Sequence, residues 1–245
     1  MVDVDYSKLK SIADEQHWNE FIPTAGGELV APLIKRQRVQ NADYLFRASR
    51  VVAELKVLET EFAHTTGTLE KVSALLTNYG DESRQNFRPE LTRVLEAPLQ
   101  RILKKANRQI RETKDELGLT GYRGVIICIN DGFRRIRPET VRILLSDILA
   151  KESFSSAQCL IYQTNHYVEI AESPGAVLLW APLYSPKASD DLVEFVNELG
   201  RAWRRYLHKT DGPFDFSGEY KDIDWSRTHV VKGVWRQDRY IRSDK

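Results

Sequence analysis

Three observations predict an α/β fold: a mixed central sheet flanked by helices. The run Gly124-Val125-Ile126-Ile127-Cys128-Ile129-Asn130 is apolar almost throughout, as expected of a strand covered on both faces. From residue 120 onward strand-like and helix-like segments alternate, a pattern that makes at least part of the sheet parallel. Before that run, Leu91, Val94, Leu95, Leu99, Ile102, Leu103, Ala106, Ile110 and Leu117 recur with a helical period of about 3.6 residues. At 245 residues the chain is long enough to bury a sizeable core. Its 42% hydrophobic and 29% charged content place it among globular chains. One α/β domain is expected over residues 1–209. Residues 210–245 form a C-terminal tail, packed on that domain or partly extended.

Taken in order, Tyr6 to about Phe21 carries Leu9, Ile12, Ala13 and Phe21 near helical spacing, ending before Pro23 and the Gly26-Gly27 break. Residues 28–40 are ambiguous, because Pro32 interrupts Leu29-Val30 and Leu33-Ile34. Two strand-like segments follow, within 41–58. Phe62 to Asn78 is compatible with a helix, and Tyr79 to Pro89 reads as a polar connector. The long helix comes next; Pro98 kinks or divides it, and Gly118 is placed to stop it. After the strand at 124–130 and an Asn-Asp-Gly turn, Pro138 suits the first position of a helix whose apolar face is Val141, Ile143, Leu144, Leu145, Ile148 and Leu149. Gln158 to Tyr162 and Ala176 to Trp180 read as strands, and Asp190 to about His208 as an amphipathic helix.

The segment 41–58 carries the chemistry. Aromatic and β-branched residues dominate both halves, and a polar break, Arg47 to Arg50, divides them. Val51, Ala53, Leu55 and Val57 occupy one face of the second half, while Glu54 and Lys56 share the other. An antiparallel hairpin centred between Ala48 and Ser49 opposes residues whose numbers sum to 97, so Asp43 faces Glu54. Two carboxylates opposed across a strand pair repel, and a divalent cation between them turns repulsion into coordination. Lys56 reaches the same point with a cationic donor. The competing interpretation is an ordinary solvated charged face. The apolar neighbours of Glu54 argue against it, since a charge in a buried strand needs a reason.

Asp43 with Glu54-Leu55-Lys56 resembles the signature of the PD-(D/E)xK nuclease superfamily, over roughly residues 20 to 165. Asp43 matches the first acid, with Ala42 in place of the proline that often precedes it, and Glu54 and Lys56 match the acid and lysine. The resemblance implies a restriction-endonuclease-like core and a metal-dependent nuclease that hydrolyses phosphodiester bonds. DNA is favoured over RNA as partner. Magnesium is the implied cofactor, with manganese as a substitute, held by Asp43, Glu54 and the Leu55 carbonyl. A homodimer is compatible with it. Lys56 would orient or deprotonate the attacking water, or stabilise charge at the phosphate. A lysine base needs a depressed pKa, which burial lowers and neighbouring carboxylates raise, so charge stabilisation is the favoured role. The crossover helix of such nucleases often aims a glutamine or a basic residue at the site, which singles out Lys105 and Gln109 at i, i+4 spacing. An acid from the leading helix commonly assists; Glu20 and Glu28 are both candidates, with Glu20 preferred.

Net charge is +1, so the total gives no signal for nucleic acid. Its distribution does: from Arg93 to Lys114 seven basic residues (among them Arg101, Lys105 and Arg108) face two acids, a stripe able to contact phosphates. A second basic run, Arg227, Lys232, Arg236, Arg239 and Arg242, interleaves with Trp225, Trp235 and Tyr240 in the tail, where packing onto the domain is the favoured role. Phosphate-loop, zinc-protease, CxxC and serine-hydrolase motifs are absent. The five histidines are scattered, with no pair at ligand spacing on one helix. Cys128 and Cys159 sit in apolar runs and read as small buried hydrophobes of a reducing compartment. No apolar run reaches the roughly 18 residues of a membrane span, and no signal region precedes the first helix. A cytoplasmic protein without membrane contact is expected. Two alternatives stand beside the nuclease: an inactive nucleic-acid-binding or regulatory protein that keeps the fold, and an interaction protein in which the triplet is coincidental.

Overall fold

The strand-like segments assemble mainly into one sheet. In the computed structural model the described residues are 15–36, 40–59, 65–78, 84–131, 133, 136–166, 168–170, 176–210 and 228–230. The chain runs α1 (Glu15–Thr24), β1 (Glu28–Leu29), a 3-10 turn (Ala31–Leu33), β2 (Tyr44–Phe46), β3 (Val51–Leu58), α2 (Thr66–Asn78), α3 (Arg84–Glu116) and β4 (Arg123–Asn130). It continues through α4 (Pro138–Leu149), β5 (Cys159–Thr164), β6 (Val168–Ile170), β7 (Ala176–Val177), β8 (Trp180–Tyr184), α5 (Asp190–Thr210) and β9 (Thr228–Val230). Six strands pair in the order β1-β2-β3-β4-β5-β8. The inner pairs β3–β4 and β4–β5 are parallel, and the outer pairs are antiparallel. The fold is therefore α/β, a mixed sheet flanked by helices, as the alternating segments predict.

Strand parity sorts the core into two layers. Even-numbered Val52 and Leu58 of β3, Ile126 and Cys128 of β4, and Leu160 and Tyr162 of β5 pack with Leu99, Leu103, Ala106 and Ile110 of α3 and with Val141, Leu145 and Ile148 of α4. Odd-numbered Val51, Ala53, Leu55, Val125, Ile127, Ile129 and Ile161 pack with Trp18, Phe21 and Ile22 of α1 and with Leu192, Val196 and Trp203 of α5. Both faces of β4 are covered, which explains its unbroken apolar run. Cys128 and Cys159 are buried free thiols, and burial raises both above the ordinary range.

Several boundaries differ from expectation. α1 continues through Pro23 to Thr24: a proline in the last turn costs one helical hydrogen bond, and buried Trp18, Phe21 and Ile22 hold the turn. The expected polar connector is helical from Arg84 onward, and α3 runs on through Pro89 and Pro98 as one 33-residue helix. Its apolar stripe against β3 and β4 offsets the lost bonds. The stop at Gly118 is as predicted: at φ +63° it donates to the Asp115 carbonyl (3.4 Å), and Leu119 donates to the Lys114 carbonyl (2.8 Å). That 6→1 and 5→2 pattern is a Schellman ending. The apolar run 176–180 is divided between two sheets. Ala176–Val177 pairs with β6, whereas Trp180 begins the edge strand β8, where Pro182 needs no partner for its missing N–H. In the tail, β9 pairs with β6; Trp225, Trp235, Tyr240 and the five tail basic residues lie outside the described residues. No helix among the described residues is long and apolar enough to cross a membrane.

Gly124 lets α3 and the loop before β5 close on β4. A Cβ at this position would lie 2.0 Å from the Ser156 carbonyl oxygen and 2.9 Å from Ile110 Cγ2. The strand edge is also fixed there, since Gly124 N–H donates to Gln158 Oε1 (2.7 Å) and Gln158 N–H donates to the Gly124 carbonyl (2.8 Å). Gly124→Ala is expected to cost about 1–3 kcal/mol, as over-packing of a tight core does. Urea unfolding measures this, and a midpoint equal to wild type would show that the approach is not tight in solution.

Candidate active site

The hairpin register places the acids. Tyr44 pairs with Ala53, Leu45 with Val52 and Phe46 with Val51, so opposed numbers sum to 97. The turn at its tip spans residues 47–50, with Arg50 at φ +52°. Arg50 is held there by its Nη2 donating to the Thr120 carbonyl (3.1 Å) and by stacking over Tyr122.

Asp43 lies one residue before β2, at the point where the regular ladder ends. Its N–H turns back to the Ala53 carbonyl (3.2 Å), and its own carbonyl accepts from Val30 N–H (2.9 Å). The rung that β2 leaves open is taken by the side chain: Asp43 Oδ2 accepts from Leu55 N–H (2.7 Å). A strand residue's carbonyl points to the same side as its N–H, so the Leu55 carbonyl faces this edge too.

Glu54 projects from β3 onto the α3 side of the sheet, level with Asp43. It is 0% exposed, which excludes the solvated-face interpretation for this residue. Lys56 Nζ donates to Glu54 Oε1 from the next position on that face, while Glu54 Oε2 is buried without a hydrogen-bond partner. Burial, reinforced by the Asp43 charge and opposed by Lys56, pushes the Glu54 carboxyl up to about 8. Burial also raises Asp43, against the stabilising Leu55 N–H and Lys56. A proton shared between the two carboxyls, or a cation in its place, compensates the pair. An orphaned buried oxygen beside a second carboxylate fits a small hard cation, since Mg²⁺ needs only one or two carboxylates and keeps several waters. Among the described residues no third His, Cys, Asp or Glu joins the pair.

The remaining expected site residues divide. Gln109 is half-buried on α3, and its Nε2 donates to the Asn41 carbonyl (2.9 Å), two residues before Asp43. Arg108 Nη2 donates to Gln40 Oε1 (2.6 Å) and pairs with Glu112. Arg101 and Lys105 are exposed on the same helix. Glu20 does not join the acids: α1 packs on the opposite face of the sheet, and Glu20 receives hydrogen bonds from Gln16 (2.9 Å) and from Tyr206 of α5 (3.3 Å). Glu28 opposes Leu45 on β1 and pairs with Arg47. Asn130 acts in a turn, bonding both backbone groups of Phe133 and the Tyr162 hydroxyl.

Thr113 was not among the expected residues. It is 0% exposed, and its Oγ1 accepts from Ala42 N–H (2.7 Å). The helical stripe Leu99, Leu103, Ala106, Ile110, Leu117 passes through position 113, a sequence signal that this threonine faces inward. Compared with known proteins, the chain matches no family model, no curated protein and no solved structure.

Proposed function

We propose that this protein is a metal-dependent nuclease of the PD-(D/E)xK type, with a restriction-endonuclease-like core, that hydrolyses phosphodiester bonds of nucleic acid, DNA in the first instance. The observation that carries this reading is the Asp43–Glu54 carboxylate pair with Lys56 beside it and the buried Glu54 Oε2 left without a partner. A buried carboxylate pair is costly unless a cation or a proton compensates it. Its position on adjacent strands of a mixed sheet, under a long crossover helix, agrees with the resemblance.

Asp43, Glu54 and the Leu55 carbonyl would hold Mg²⁺, with Mn²⁺ able to substitute. When bound, the cation would lower the pKa of a coordinated water and offset charge at the phosphate. The chain supplies the rest. Leu55 N–H keeps the Asp43 carboxylate turned to the edge of β3. Glu54, whose carboxyl is raised chiefly by burial, would be favoured as the carboxylate by the added positive charge. Lys56, one pleat along, offers an ammonium to a phosphate oxygen that gains charge in the transition state. Burial of Glu54 limits competition from bulk water.

Incubation with single- and double-stranded DNA and RNA, with Mg²⁺, Mn²⁺ or EDTA, tests the proposal. Fragments should appear with metal, vanish with EDTA and be absent for Glu54→Gln. Retained binding without cleavage of any substrate would favour the inactive nucleic-acid-binding alternative. Neither binding nor cleavage would make the triplet a structural pair.

Arg101, Lys105 and Arg108 are exposed on α3, and Arg108 contacts Gln40 in the segment that leads into Asp43. Replacing all three with alanine should weaken duplex binding and flatten its log–log salt dependence by about 0.9 for each phosphate no longer neutralised. Equal affinity and slope in filter binding would assign the stripe to ordinary solvation.

A further inference from the structure

We infer that Thr113 is a positioning residue for Asp43, and that α3 aims this carboxylate by gripping the backbone just before it; the inference rests on the metal-dependent reading of the site. The regular β2 ladder covers only Tyr44–Phe46. Upstream of it the chain needs other anchors, or Asp43 would sit on a frayed strand end. Three consecutive residues supply them, all tied to α3: Gln40 to Arg108, the Asn41 carbonyl to Gln109 and the Ala42 N–H to Thr113.

The innermost tie is the most deeply buried. Ala42 and Thr113 are both 0% exposed, so water does not replace the Ala42–Thr113 bond if it is broken. Gln109 and Thr113 are one helical turn apart, so their two bonds stack along one side of α3. From Ala42 a single peptide bond leads to the acid. Beyond it, Asp43 is held by Ala53, Val30 and Leu55. The carboxylate is thus suspended between a clamp on α3 and a clamp on the sheet, and Thr113 is the last group of the first clamp. Side chains that orient ligand-bearing groups are commonly worth about 10–100-fold in metal affinity or rate.

Thr113→Val keeps the shape and removes the acceptor, while Thr113→Ser keeps the acceptor. Calorimetric Mn²⁺ titration and steady-state cleavage should show Thr113→Val losing about 10–100-fold in metal affinity and in kcat. KM for nucleic acid should stay unchanged, and Thr113→Ser should restore both losses. Wild-type metal affinity and kcat in a folded Thr113→Val protein would overturn the positioning role while leaving the proposed function standing. If Thr113→Val does not fold, Gln109→Leu, which cuts the half-buried Asn41 tie, carries the same test in the same direction. A wild-type protein that neither binds Mn²⁺ nor cleaves would overturn the proposed function, and the positioning role with it.

Discussion

Asp43→Asn is expected to abolish Mg²⁺ binding and cleavage together, with loss of the detectable calorimetric signal and at least about 100-fold in rate, the scale of removing a group that acts directly on developing charge, while the fold persists. The asparagine oxygen can still accept from Leu55 N–H, as Asp43 Oδ2 does, so the hairpin edge keeps its last rung. What disappears is the second negative charge, and a hard cation loses most of its electrostatic reason to enter. Asp43→Ala is a less clean probe, because it also leaves the Leu55 N–H without its partner. Lys56→Met should behave oppositely: metal binding persists, whereas turnover collapses by about 100-fold or more, the scale of losing one charge-stabilising group. The two readouts divide holding from stabilising. If the Asp43→Asn protein cuts at the wild-type rate, the active site lies elsewhere. If Lys56→Met loses metal affinity and keeps turnover per bound metal, the division of labour is wrong.

The second large effect is on stability. Glu54 has an ordinary carboxyl pKa near 4.5 when unfolded and about 8 in the fold. Between those values the native state keeps a proton that the unfolded chain has released. The native state then binds more protons, so stability falls as pH rises across this window. Asp43, also raised, acts in the same direction. The penalty is absent below about pH 4.5 and complete above about pH 8. For Glu54 it should be on the order of 5 kcal/mol, or roughly 10–20 °C in melting temperature for a chain of this size. Relative to wild type, Glu54→Gln should remove most of this slope and melt higher at pH 8.5 without metal. Saturating Mg²⁺ should recover stability in wild type at that pH and leave Glu54→Gln unmoved. Parallel melting curves for the two proteins from pH 5 to 9 would show that Glu54 does not carry the linkage.

Legibility followed the distance over which each feature is decided. The hairpin register was readable because its determinants lie within one short stretch: a polar turn, apolar residues of alternating parity and two acids equidistant from the centre. The buried parallel strand, Pro138 at the start of α4 and Gly118 past the end of α3 were likewise local. Glu20 falls on the other face because the helical spacing of Leu9, Ile12, Ala13 and Phe21 does not tell which face of the sheet takes Trp18 and Phe21. Their partners, Trp203 and Tyr206, lie far along the chain. The division of the run 176–180 had no punctuation. It arises where Thr164, on β5, captures both backbone groups of Leu179. Thr113 looked like one polar residue between Glu112 and Lys114, and its acceptor role depends on a segment 71 residues away. The start of α3 was hidden by Pro89, which tertiary packing overrides.

The three residues of β2 are all buried: Leu45 in the aliphatic layer under α3, Tyr44 and Phe46 in the aromatic layer under α1 and α5. A slip of one position against β3 would push an aromatic ring into the aliphatic layer and Leu45 into the aromatic one. It would also turn Asp43 away from Glu54, since strand side chains alternate. The volumes that close the core thus act as a vernier for the acids, and a misaligned pair would also be a misfolded hairpin. Residues 47–50 at the tip are anchored separately, Ser49 through its carbonyl accepting from Arg123 (2.7 Å) and Arg50 through its Nη2 donating to the Thr120 carbonyl (3.1 Å). Loop length at the tip therefore works with the buried strand residues to hold the one register that opposes the two carboxylates.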